Sequence, residues 1–136
     1  LISAGIGSKG STYAVTGTKS NGDMVFYCSA TVPHKHLYAE VKSYGARERL
    51  LRGLQDLTGK DAIGVGFFTD ASEFNPVRTQ DFINANTLAI YMPDATYAAL
   101  HADSKARLSK RNQRFYRTLS TFPGDIRHFT KTGQLP

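Results

Sequence analysis

Ser20-Asn21-Gly22-Asp23 separates two runs rich in β-branched and aromatic residues, 11–18 and 24–32. Asn-Gly is the preferred pair of a tight type I′ turn, because both central positions take positive φ, and such a turn ties its flanks into an antiparallel hairpin. No other stretch restricts the fold as strongly. On the second strand Met24, Phe26, Cys28 and Ala30 share one face, so Cys28 reads as a small core residue. It is the only cysteine of 136 residues, which excludes an intramolecular disulfide and cysteine-based zinc sites. A lone cysteine favours a reducing, cytoplasmic setting. The first ten residues lack a basic segment followed by an apolar core, so no signal peptide is expected there.

Around the hairpin the chain reads as one α+β domain spanning 11–136, with residues 1–10 as a Gly- and Ser-rich arm. The arm contains Gly5-x-Gly7-x-x-Gly10, but the strand-like STYAVTGT follows where a phosphate loop needs a helix. Leu50, Leu51, Leu54 and Leu57 recur at helical spacing, and Gly59 is placed to end that helix. Residues 36–44 fit two periods. Leu37, Val41 and Tyr44 suit a helix, Leu37, Ala39 and Val41 a strand, and a helix disturbed at Gly45 is the expectation. A buried strand is expected over 61–70 through Ile63, Val65 and Phe67, with Gly64 and Gly66 marking a bulge or the close approach of another backbone. The connection 71–86 is polar, with a single turn capped by Thr79, and Thr87–Met92 is a short apolar strand. Asp94 is expected to cap a long basic C-terminal helical region, 94–122, whose apolar stripe runs through Tyr97, His101, Leu108, Phe115, Leu119 and Phe122, with Asp103-Ser104 as a place where it could break and be capped again. The fold class is therefore α+β: a small mixed or antiparallel sheet of the hairpin and two further strands, packed with a central helix and that basic helix.

Charge is distributed unevenly. From Ser104 to the end, eight basic residues (Lys105, Arg107, Lys110, Arg111, Arg114, Arg117, Arg127 and Lys131) face one acid, Asp125, whereas residues 1–103 hold nine basic and ten acidic groups. Like charges at helical spacing repel by a few tenths of a kcal/mol per pair, so such a row points to an anionic partner. Nucleic acid is the first expectation, since arginine grips phosphate bidentately and each neutralised phosphate releases counterions. Tyr116 would stack on a base of a single strand. An acidic protein partner is the second expectation. A membrane surface is not expected, because the apolar stripe is needed for the core.

Catalysis, if present, would be that of a small basic nuclease or toxin-like effector acting on RNA or DNA. His34, His36 or His128 would serve as base and acid, with Tyr116 and the arginines around the phosphate. That chemistry needs no cofactor, although a divalent metal fits a nuclease. Asp70 and Glu73, at a strand end, are the acids considered for metal chemistry. Pro33-His34-Lys35-His36 resembles the second motif of the HUH endonucleases, in which paired histidines on a strand hold a metal and a helical tyrosine attacks single-stranded DNA. The resemblance implies His34 and His36 as ligands and Tyr97 or Tyr116 as the attacking residue. Lys35 departs from it, since the family carries bulky hydrophobic residues there. His128-Phe129-Thr130 resembles one half of the two-histidine phosphoesterase signature, with no second copy in the chain.

Overall fold

In a computed structural model the chain is described over residues 13–15, 23–28, 34–42, 47–57 and 59–136. Among the described residues six strands form one mixed sheet in sequence order: β1 (Tyr13–Val15), β2 (Met24–Cys28), β3 (Lys35–Lys42), β4 (Ala62–Gly66), β5 (Thr87–Met92) and β6 (Tyr116–Thr118). The first three are antiparallel, with Val15 opposite Met24 and Met24 opposite Ala39. From β3 onward neighbours are parallel. The expected hairpin pairing is present, while its Asn21-Gly22 turn lies outside the described residues, as does Gly5-x-Gly7-x-x-Gly10.

Parallel neighbours require crossovers. The helix α1 (Arg47–Asp56) joins β3 to β4, and α2 (Pro76–Asn84), preceded by a 3-10 turn, joins β4 to β5. The short helices α3 (Asp94–Ala98) and α4 (Ala102–Lys105) lie between β5 and β6, and α5 (Phe122–Thr132) follows. Crossovers of one hand that step in one direction place their helices on one face. There Leu50, Leu54, Leu57, Phe68, Phe74 and Phe82 pack against Ile90, Met92 and Tyr116. The other face is covered by α5, through Ile126 and Phe129 against Phe26, Cys28, Leu37, Ala39, Ile63 and Tyr91. All six residues of β5 are buried, as befits a parallel strand covered on both sides.

Four expectations are corrected. Residues 35–42 form a strand, not a helix, because a period of two sends Leu37 and Ala39 into one core and Tyr38 toward the other while both edges pair. The second correction concerns Phe67, which lies past the end of β4 and is 66% exposed. The polar connection contains the nine-residue helix α2, capped by the Asn75 side chain, which accepts from Arg78 N. Thr79 instead donates to the Asn75 carbonyl.

The region 94–122 is not one long helix. His101 turns extended and caps α4, accepting from Asp103 N, and Asn112 takes φ +63° in the loop before β6. Breaking the helix lets the like charges separate and find oxygens: Arg107 donates to Gln80, Lys110 to Asn86 and Arg111 to Asp61. The close backbone approach expected at the strand glycines is present, since a Cβ on Gly66 would stand 2.5 Å from the Lys42 carbonyl oxygen. The irregularity lies at Ala62/Ile63, where the β4–β5 register shifts.

A charged network stabilises the α5 face. Arg117 is 3% exposed, and its Nη1 lies 3.0 Å from Asp125 Oδ2, which also accepts from the Tyr91 hydroxyl at 2.7 Å. Burial raises the Tyr91 hydroxyl far above the ordinary phenol range, so it remains a donor. Removing one member of a buried pair strands the other charge, at about 3–5 kcal/mol. Asp125→Ala is therefore expected to lower the unfolding free energy by about that amount in urea titrations, with Lys131→Ala, on an exposed position of the same helix, close to wild type.

Candidate active site

In a sheet whose strands β3 to β6 run parallel, the carboxyl ends gather along one edge, where open α/β sheets place their sites. Here that edge carries Lys42, Gly66, Met92 and Thr118. Antiparallel β2 begins at the same edge, so Asp23, just before it, meets the end of β3: Asp23 N donates to the Ala39 carbonyl, and Val41 N donates to Asp23 Oδ2 at 2.8 Å. Glu40 and Lys42, two residues apart on a strand, share one face. The Lys42 ammonium lies 2.7 Å from Glu40 Oε1 and 3.9 Å from Asp23 Oδ2. Two carboxylates from adjacent strands thus converge on one lysine.

The surroundings are shaped for this cluster. Opposite Glu40 and Lys42, β4 presents Gly64 and Gly66. From α1, Gly53 stands against Glu40, and a Cβ there would lie 2.5 Å from the Glu40 carboxyl carbon. The absent side chain is the space in which the nearly buried carboxylate sits, Glu40 being 8% exposed. Asp23 and Glu40 offer hard oxygen donors, the set that suits Mg²⁺ or Mn²⁺. Magnesium is commonly held by one or two carboxylates, completing its shell with water and substrate phosphate. The donor set therefore fits such a cation, which Asp23 and Glu40 would hold. Among the described residues no group of three His, Cys, Asp or Glu side chains converges as a metal cage.

The residues singled out from the sequence lie elsewhere. His34 and His36 are exposed at the opposite end of β3, where His36 stacks edge-on with Tyr27. His128 sits on α5 with Nδ1 2.8 Å from the Gln134 carbonyl. Tyr116 is fully buried, its hydroxyl 2.6 Å from Thr79 Oγ1 and its pKa raised by burial, so it reaches neither a base nor a phosphate. Tyr97, on α3, packs against the core, under the Lys105 ammonium. Asp70 caps the 3-10 turn by accepting from Ser72, and Glu73 lies within that turn.

The basic residues do not form one face either. Arg117 is buried, Lys110 and Arg111 border a cleft of about 230 Å³ with Lys60 and Asn86 at the amino ends of β4 and β5, and Arg114 is exposed beside Leu108. Arg107 lies against α2, while Arg127 and Lys131 are exposed on α5. Asp23, Glu40, Lys42 and Gly53 were not anticipated. Their signal was an acid directly after the Asn-Gly turn and Glu-x-Lys ending the next segment, legible once 35–42 is taken as a strand.

No protein-family model matches the sequence, and no curated protein matches it. A solved structure described as a complex of the restriction endonuclease PspGI with substrate DNA has a similar fold, with a TM-score of 0.50 and 21% identity over 70% of this chain. The match covers 40% of that protein, so the chain spans less than half its length. At this identity the likeness is one of fold alone, the mixed α+β architecture.

Gly53→Ala tests the carboxylate cradle. Alanine is favoured over glycine within a helix by about 1 kcal/mol, so the variant is expected to stay folded while its methyl group displaces Glu40. Calorimetric titration with Mn²⁺ should show affinity about 10-fold or more below wild type, with no fall in melting temperature.

Proposed function

We propose that the chain is the catalytic domain of a divalent-cation-dependent nuclease, hydrolysing phosphodiester bonds of nucleic acid. The convergence of Asp23, Glu40 and Lys42 at the carboxyl edge of the sheet carries this reading. The fold shared with a structure described as an endonuclease bound to substrate DNA makes duplex DNA the first substrate to try.

A cation at Asp23 and Glu40, when bound, would polarise the scissile phosphate and lower the pKa of a water molecule. The chain's own groups supply the remainder. Val41 N–H fixes the Asp23 carboxylate, and the wall formed by Gly53 fixes that of Glu40. Lys42 places an ammonium beside both, where it donates to the phosphate oxygens as negative charge develops on them. Attack of water on phosphorus breaks one P–O ester bond and yields a phosphomonoester and a hydroxyl end. Neither His34, His36 nor His128 is required, since all three lie away from Lys42.

Supercoiled plasmid and end-labelled duplex oligonucleotides provide the assay. Cleavage is expected with Mg²⁺ or Mn²⁺ and should stop on addition of EDTA. Asp23→Asn and Glu40→Gln are expected to abolish it, and Lys42→Met to reduce the rate about 10²–10³-fold, with circular dichroism unchanged. Cleavage that survives Glu40→Gln, or that persists in EDTA, would contradict the proposal. Salt-dependent binding by the wild type without cleavage would leave a binding module instead.

A further inference from the structure

The residues that grip the substrate backbone must lie near Lys42, yet of the basic residues of 104–131 Arg117 is buried, and Lys110, Arg111 and Arg114 lie toward the amino ends of the strands, away from Lys42. The helix α1 does approach it. Its first residue, Arg47, follows Lys42 by five positions, so its amino end lies at the carboxyl edge and its body runs back over the sheet, where Leu50 lies beside Gly64. Gly53 fixes the register, because it is the position that abuts Glu40.

Arg49 precedes Gly53 by four residues. At about 100° per residue it lies about 40° from Gly53 around the helix and about 6 Å further toward the amino end. Along β3, Lys42 lies about 6.6 Å beyond Glu40 in the same direction. Arg49 is thus level with Lys42, and helical side chains lean toward the helix amino terminus, here toward the open edge. Arg49 is exposed, and among the described residues no carboxylate forms an ion pair with it. By contrast, Arg111 pairs with Asp61 and Arg117 with Asp125. An unpaired guanidinium presents a planar fork matched to a phosphate.

We infer that Arg49 is a substrate-positioning residue that clamps a backbone phosphate next to the scissile one. This rests on the nuclease reading, with nucleic acid as the ligand. Its distinguishing feature is that it acts on binding and register, while Asp23, Glu40 and Lys42 act on the reacting phosphate.

Steady-state cleavage of a duplex oligonucleotide and fluorescence anisotropy across a salt series separate the possibilities. Arg49→Ala is expected to raise KM about tenfold with kcat little changed. It should also flatten the plot of log affinity against log salt by about one unit. Arg49→Lys should restore part of the affinity, because the charge remains and the fork is lost. Arg114→Ala, away from the Lys42 edge, should leave KM and slope at wild-type values. If the wild type cleaves, Glu40→Gln does not, and Arg49→Ala keeps the wild-type KM and slope, the clamp is refuted while the nuclease reading stands. If the wild type does not cleave, the reading falls and the clamp with it.

Discussion

The architecture depends on β3 being paired on both sides, antiparallel to β2 and parallel to β4. One strand thereby joins the hairpin to the parallel half of the sheet. Its end is the place where the start of an antiparallel neighbour and the carboxyl edge of the parallel strands coincide. Asp23 reaches Val41 N–H because β2 begins there, and Glu40 and Lys42 share a face because the strand period is two. Shifting β3 by one residue would turn Glu40 and Lys42 into the α5 core and bring Leu37 and Ala39 out, a change that burial forbids.

The same strand explains the glycines around the site. Gly53, Gly64 and Gly66 come from two elements, yet all lie against Glu40 or Lys42. Each removes a side chain where a carboxylate, a leucine or a backbone carbonyl needs the space. The proposed chemistry is thus supported by shape as well as charge. A nearly buried glutamate is tolerable because a lysine compensates it at 2.7 Å, and the same contact holds the lysine where the proposed chemistry would use it.

Much of the fold was legible in the sequence. The hairpin, the leucine-spaced helix and the strand Thr87–Met92 follow from local pattern, and they place the chain in the α+β class. The site was not legible, for a specific reason. Residues 36–44 satisfy two periods, and in a helix residues two apart do not face each other, so Glu40 and Lys42 do not register as a pair. Only the partner strands β2 and β4 decide between the periods, and both lie outside the segment itself. The concentration of positive charge after Ser104 is likewise silent about where those charges lie. Net charge records neither burial nor pairing, and Arg117 buried against Asp125 and Arg111 bound to Asp61 count equally with a free surface arginine. Phe67 shows the limit of apolar pattern: it continues the alternation of Ile63 and Val65 but lies one residue past the end of β4.

The central claim is that Asp23 and Glu40 hold a divalent cation beside Lys42. Anomalous diffraction from crystals soaked in Mn²⁺ tests it directly. The account predicts one dominant peak within coordination distance, about 2.0–2.3 Å, of carboxylate oxygens from both Asp23 and Glu40, lost in Glu40→Gln crystals. A dominant peak at His34 and His36, or one that survives Glu40→Gln, would contradict it.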